Sequence, residues 1–119
     1  MFTQTIGDAT VTVEYAGKEF ESFREDDYRR RYSYSIVTSE WRYDGNDIHS
    51  GVGAAIDVED AARVLFSFLS ACAESRDYRD SNGSGGENAE LFPEHVGQWA
   101  QDNSDDITML SLNPSDWEE

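Results

Sequence analysis

From Asp80 to Glu119 the chain carries ten carboxylates and neither lysine nor arginine, and His95 is the only basic side chain after Arg79. A block of that charge usually belongs to a disordered acidic tail, which lacks the aromatic and β-branched residues needed to bury a core. This chain does not lack them. It is 38% hydrophobic and 13% aromatic, enough for a real core in 119 residues. The charge must therefore be carried by a folded domain, one by its size.

The asymmetry says more than the total. Residues 1–79 hold 15 acids and all nine bases, and residues 80–119 hold ten acids and no base, so the net charge of -16 divides into -6 and -10. Such a field repels nucleic acid and anionic membranes and draws in basic surfaces with fast, salt-sensitive association. Direct nucleic-acid binding and membrane binding are thus excluded as expectations. There is no apolar run of about 18 residues and no basic-then-apolar leader at MFTQTIGDAT. A single cysteine, Cys72, precludes an internal disulfide and fits a reducing compartment. The expected location is the cytoplasm.

Along the chain, FTQTI and ATVTVEY read as a hairpin joined at Gly7-Asp8, with Ala9, Val11, Val13 and Tyr15 on one face. Residues 16–30 suit a strand followed by a charged turn. RYSYSIVTSEWRY (31–43) reads as one strand whose apolar phase slips near residues 36 and 37, as at a bulge. YDGNDIHSGVGAAI reads as a loop. Asp57 is placed to cap a long helix, VEDAARVLFSFLSACAESR, with Val58, Ala61, Leu65, Phe68, Leu69 and Cys72 on its buried face. SNGSGGEN (81–88) reads as a flexible connector, and Pro93 opens a shorter helix, PEHVGQWAQDN. ITMLSL (107–112) is a candidate final strand and residues 113–119 an acidic tail. The expected fold is α+β: an antiparallel sheet of three to five strands packed against one long and one short helix.

No catalytic constellation emerges. Two histidines in separate segments and one cysteine make no zinc cluster. Cys72, among Ala71, Ala73 and Leu69, reads as a small hydrophobe rather than a nucleophile. Asp44 and Asn46 begin a calcium-loop pattern, but Ile48 falls on a ligand position and His49 where glycine belongs. Gly51-Val52-Gly53 is too short to cradle a phosphate and has no lysine after it. No metal, cofactor or catalytic residue is expected, and the chain reads as no enzyme.

The acidic block is left to carry function. Glu87, Glu90 and Glu94 precede or open the second helix and suit its N-terminal dipole, whereas Asp102 sits near its C-terminus against that preference; Asp105 and Asp106 follow. Asp116 lies in the tail. Tyr78, Trp99 and Trp117, interleaved with these acids, are candidate apolar anchors in a protein interface. Duplex DNA carries about one charge per 1.7 Å of axis, which rows of carboxylates on a rigid scaffold can imitate. In size, acidity and the 80–119 block, the chain resembles small phage-encoded inhibitors that mimic DNA, of the anti-restriction and anti-CRISPR kind. That resemblance implies a stoichiometric inhibitor of a basic nucleic-acid-binding enzyme. The alternatives are an acidic immunity protein or antitoxin against a basic toxin, and a salt-adapted domain with no electrostatic partner. One lysine, Lys18, against eight arginines suits the last, or simply a GC-rich genome.

Overall fold

A computed structural model describes residues 1–20, 28–49 and 58–112, without the side chains of 18–20, 28–30 and 46–49. The order of elements is β1 (Phe2–Ile6), β2 (Ala9–Phe20), β3 (Tyr28–Val37), β4 (Arg42–His49), α1 (Val58–Asn82), α2 (Glu94–Asp102) and α3 (Ser104–Leu112). The strands form one antiparallel sheet in sequence order, and the fold is α+β.

The expected hairpin is present, with Ile6 opposite Ala9 and only Gly7 and Asp8 between them. Gly7 takes φ +61, which a two-residue hairpin turn favours and most side chains resist. Period-two alternation then sorts the strands. Phe2, Ile6, Ala9, Val11, Val13, Tyr32, Tyr34 and Ile36 are buried beneath the helices. Thr3, Thr5, Thr10, Glu14 and Asp44 point the other way into solvent. Tyr15 keeps the expected face, opposite Tyr32 with ring centroids 5.7 Å apart, but is 49% exposed there. Just beyond it the pairing of β2 with β3 shifts between Tyr15 and Gly17, where Gly17 adopts φ +118.

Two expectations fail here for one reason. The phase slip near residues 36 and 37 is not a bulge; β3 ends at Val37 and a tight turn follows. Thr38 builds that turn, its Oγ1 accepting from the backbone N–H of Glu40 and of Trp41, both at 3.1 Å. The chain re-enters the sheet at Arg42, opposite Val37, so YDGNDIH is strand rather than loop. Glycine misled the reading. Gly45 is there because Tyr34 lies across it, and a β-carbon would overlap the tyrosine ring. Residues 50–56 of that expected loop, and the Asp57 cap, lie outside the described residues.

Helix α1 runs longer than expected, to Asn82. Ala61, Ala62, Leu65, Phe66, Leu69, Cys72 and Ala73 are buried along it. The large aromatic of that face is Phe66, seated edge-on to Phe2 with ring centroids 6.0 Å apart, while Phe68 is 47% exposed. Residues 83–88, expected as a connector, lead to α2 through turns in which Ala89 N–H meets Gly86 O at 3.0 Å and Asn88 N–H meets Ser75 Oγ at 3.2 Å. The expected final strand at 107–112 is helix α3 instead. Asn103 alone separates α2 from α3. Its N–H and its side-chain amide both donate to Trp99 O, while its carbonyl accepts from Ile107 N–H. Ile107 and Leu110, three apart, bury one face of α3, and a strand would have sent them to opposite sides.

Candidate functional site

The helices form a layer on the buried face of the sheet, and they carry most of the described acid. Their three arginines are all engaged. Arg63 meets Asp60 at 4.0 Å and Arg79 meets Asp80 at 3.8 Å. Arg76 is 3% exposed and makes a two-pronged pair with Glu94, at 2.6 and 3.0 Å, while its Nε donates to Gln101 Oε1 at 2.7 Å. Gln101 in turn donates to Asp77 at 2.8 Å and Asp80 at 3.2 Å. The hydrogen bond from Arg76 holds the Glu94 carboxyl below its ordinary range, and the same bond raises Arg76. Gly97 makes this approach possible, since a β-carbon there would sit 3.0 Å from Arg76 Cδ. These contacts are the joint between α1 and α2.

Glu94, expected to meet a partner, therefore belongs first to the fold. Trp99, expected as a surface anchor, is 6% exposed and packs in the core. It cannot serve as an anchor from there, and its buried Nε1–H has no hydrogen-bond acceptor among the described residues. Tyr78 is 57% exposed and lies close over Gly85. Asp116 and Trp117 lie outside the described residues.

The remaining expected acids do face solvent: Glu87, Glu90, Asp102, Asp105 and Asp106. Asp102 does not simply oppose its helix dipole, because α3 begins two residues later and offers a positive N-terminus. Asp105 and Asp106, in the first turn of α3, sit where that dipole favours them. Three acids that the sequence reading passed over stand close to them. Ser70 and Thr108 join α1 to α3 through their hydroxyls at 2.9 Å. One turn further along, Glu74, Asp77, Ser104, Asp105, Thr108 and Met109 line a groove of about 520 Å³. Asp80 continues the α1 row.

Elsewhere, Trp41 just before β4 meets His95 of α2 with centroids 4.9 Å apart and Trp99 at 6.3 Å, all edge-on. Tyr43 touches His95 and Phe92 at 6.5 and 6.1 Å. Trp41 and Tyr43 are part-exposed, and His95 is exposed. Sequence distance hid this corner, which joins residues 41–43 to 92–99. The usable signal was the spacing of His95 and Trp99, four apart and so neighbours on one helix.

Among the described residues no cluster of three metal-ligating side chains occurs, and no helix is long and apolar enough to cross a membrane. Cys72 is buried with its thiol directed to Ala89 O at 3.5 Å, and burial pushes its pKa up, the opposite of what a nucleophile needs. Comparison with protein-family models, curated proteins and solved structures returned no match.

Proposed function

We propose that the chain is a non-enzymatic acidic inhibitor that occupies the basic nucleic-acid-binding surface of a defence or DNA-processing protein by imitating nucleic acid. One observation carries this reading. In the helical layer every arginine is already paired, yet Glu59, Glu74, Asp77, Glu87, Glu90, Asp102, Asp105 and Asp106 have no cationic partner among the described residues. A chain selected for stability alone gains from placing lysines near such acids, and none is there. Glu74, Asp77 and the Arg79-paired Asp80 recur every three residues, about 4.5 Å along the helix axis. One strand of duplex DNA places a charge about every 3.4 Å, so a phosphate-binding groove would meet a comparable row. The packed core beneath keeps the row rigid, so little ordering entropy opposes binding.

The test is to immobilise the protein, pass a bacterial lysate over it at low salt, and add duplex DNA before a salt ramp. A nucleic-acid-handling enzyme released by the duplex supports the reading. Asp102→Asn, Asp105→Asn and Asp106→Asn combined should then weaken capture while leaving the fold intact, because all three are exposed. A single small toxin that ignores added DNA would replace mimicry with immunity. An empty column together with unfolding in dilute buffer would make the acidity a salt adaptation.

A further inference from the structure

The aromatic corner at the seam of β4 and α2 has a use that the acidic rows do not. Carboxylates attract any cation at range, and they favour arginine over lysine only where the guanidinium fork meets both oxygens. Aromatic faces do discriminate, because a planar, weakly hydrated guanidinium stacks on indole and imidazole rings better than a compact ammonium does. Trp41 and Tyr43 are part-exposed, pack against the core and each lie within ring-contact distance of the exposed His95. Their surroundings are negative. Glu40, exposed, adjoins Trp41 in the turn. Asp102 lies seven residues beyond His95, on the same stripe of α2 as Gln98, which donates to it at 3.1 Å. Arg42, adjacent to Trp41 in sequence, points to the opposite face of the sheet from Tyr43 and is bound to Asp44 at 2.9 Å, and Arg76 is taken up by Glu94.

We propose that Trp41, Tyr43 and His95 form a docking shelf for an arginine side chain of the basic partner, flanked by Glu40 and Asp102. This rests on the acidic-inhibitor reading and adds the partner's anchoring residue to it. The charge rows supply attraction and rate, and the shelf fixes register, as aromatic hot spots do within charged interfaces.

The experiment uses two short peptides, alternating glycine with arginine or glycine with lysine, titrated at low salt into the full chain labelled with nitrogen-15. The arginine peptide should shift the indole N–H of Trp41 and the amide of His95, and bind about threefold tighter than the lysine peptide. Trp41→Leu, which keeps apolar bulk but removes the ring, should reduce that preference to about one. His95→Gln does the same at an exposed position with little risk to folding. If both peptides bind equally well and shift only the carboxylate-bearing helices, the shelf is overturned and the acidic reading stands. If neither binds, the acidic reading fails with it. Should Trp41→Leu not fold, the arginine-to-lysine ratio of the unmodified protein and of His95→Gln decides.

Discussion

The sheet and the helical layer solve the same charge problem in different ways. On the described sheet surface the open face is mostly threonine and serine, and Arg42 is matched to Asp44 across 2.9 Å. In the helical layer the arginines are matched and the carboxylates continue well past them. The difference is partly geometric. A strand exposes every second residue in a row whose neighbours lie about 4.8 Å away on the next strand, so like charges face one another directly. A helix buries a stripe and fans the remaining positions around its cylinder. Acid is therefore cheaper to display on α1, α2 and α3 than on the sheet, and an excess beyond what folding uses is easier to read there as serving a partner.

The sharpest way to break the comparison is to remove what joins the layers. Phe66 is fully buried and sits edge-on to Phe2 of the first strand. Phe66→Ala should cost about 3–5 kcal/mol, read by chemical denaturation, and should unfold sheet and helices together. If the helical signal survives after the sheet signal is lost, the layers fold independently.

Next in size is Arg76. Arg76→Ala removes its packed stem and leaves Glu94 and Gln101 without their donor, at roughly 2–3 kcal/mol. Gly97 makes the test specific. In the unmodified protein Gly97→Ala presses on a side chain pinned at both ends and should be destabilising. In the Arg76→Ala background the obstacle is gone, and the same change should stabilise by up to about 1 kcal/mol through helix propensity. A double-mutant cycle in which the two effects simply add would sink this account of the joint. In the sheet the corresponding site is Gly45, where Gly45→Ala would drive a methyl into the Tyr34 ring. The expected loss is about 1–3 kcal/mol, with the damage confined to β3 and β4 as seen by amide exchange.

What was legible follows the same division. The hairpin at Gly7 and the buried alternation through Val11, Val13, Tyr32, Tyr34 and Ile36 could be read directly, because period two with β-branched residues is a local signal. The Thr38 turn was not, since TSEW lacks glycine and proline and works through a threonine hydroxyl. Gly45 resembled a loop residue because its reason is a tyrosine eleven positions away. ITMLSL looked like a strand from composition, and only the burial of Ile107 and Leu110 against α1 decides for a helix. Of the expected site, Glu87, Glu90, Asp102, Asp105 and Asp106 are at the surface, whereas Trp99 and Glu94 are not free. Arg76 was the available clue. It falls four residues after Cys72 on the apolar face of α1, where a cation must have a carboxylate brought to it from elsewhere in the chain.

The smallest effect concerns that carboxylate. Glu94 is 76% exposed on its side chain, so water screens the pair and its charge contributes modestly. The sign is nevertheless fixed. Arg76 holds the native pKa of Glu94 below the ordinary carboxyl value of 4.5, so its stabilisation is present above that value and is lost as pH falls through the lowered native one. Glu94→Gln keeps an oxygen for Arg76 but removes the charge. Its melting temperature should lie slightly below that of the unmodified protein at pH 7, and the two should converge on acidification past about 4.5. A gap that stays constant from pH 7 to pH 3 would mean that the shape of the acceptor, not its charge, matters to Arg76. The joint between α1 and α2 would then be a packing device, and Glu94 would rejoin the carboxylates whose charge is available to a partner.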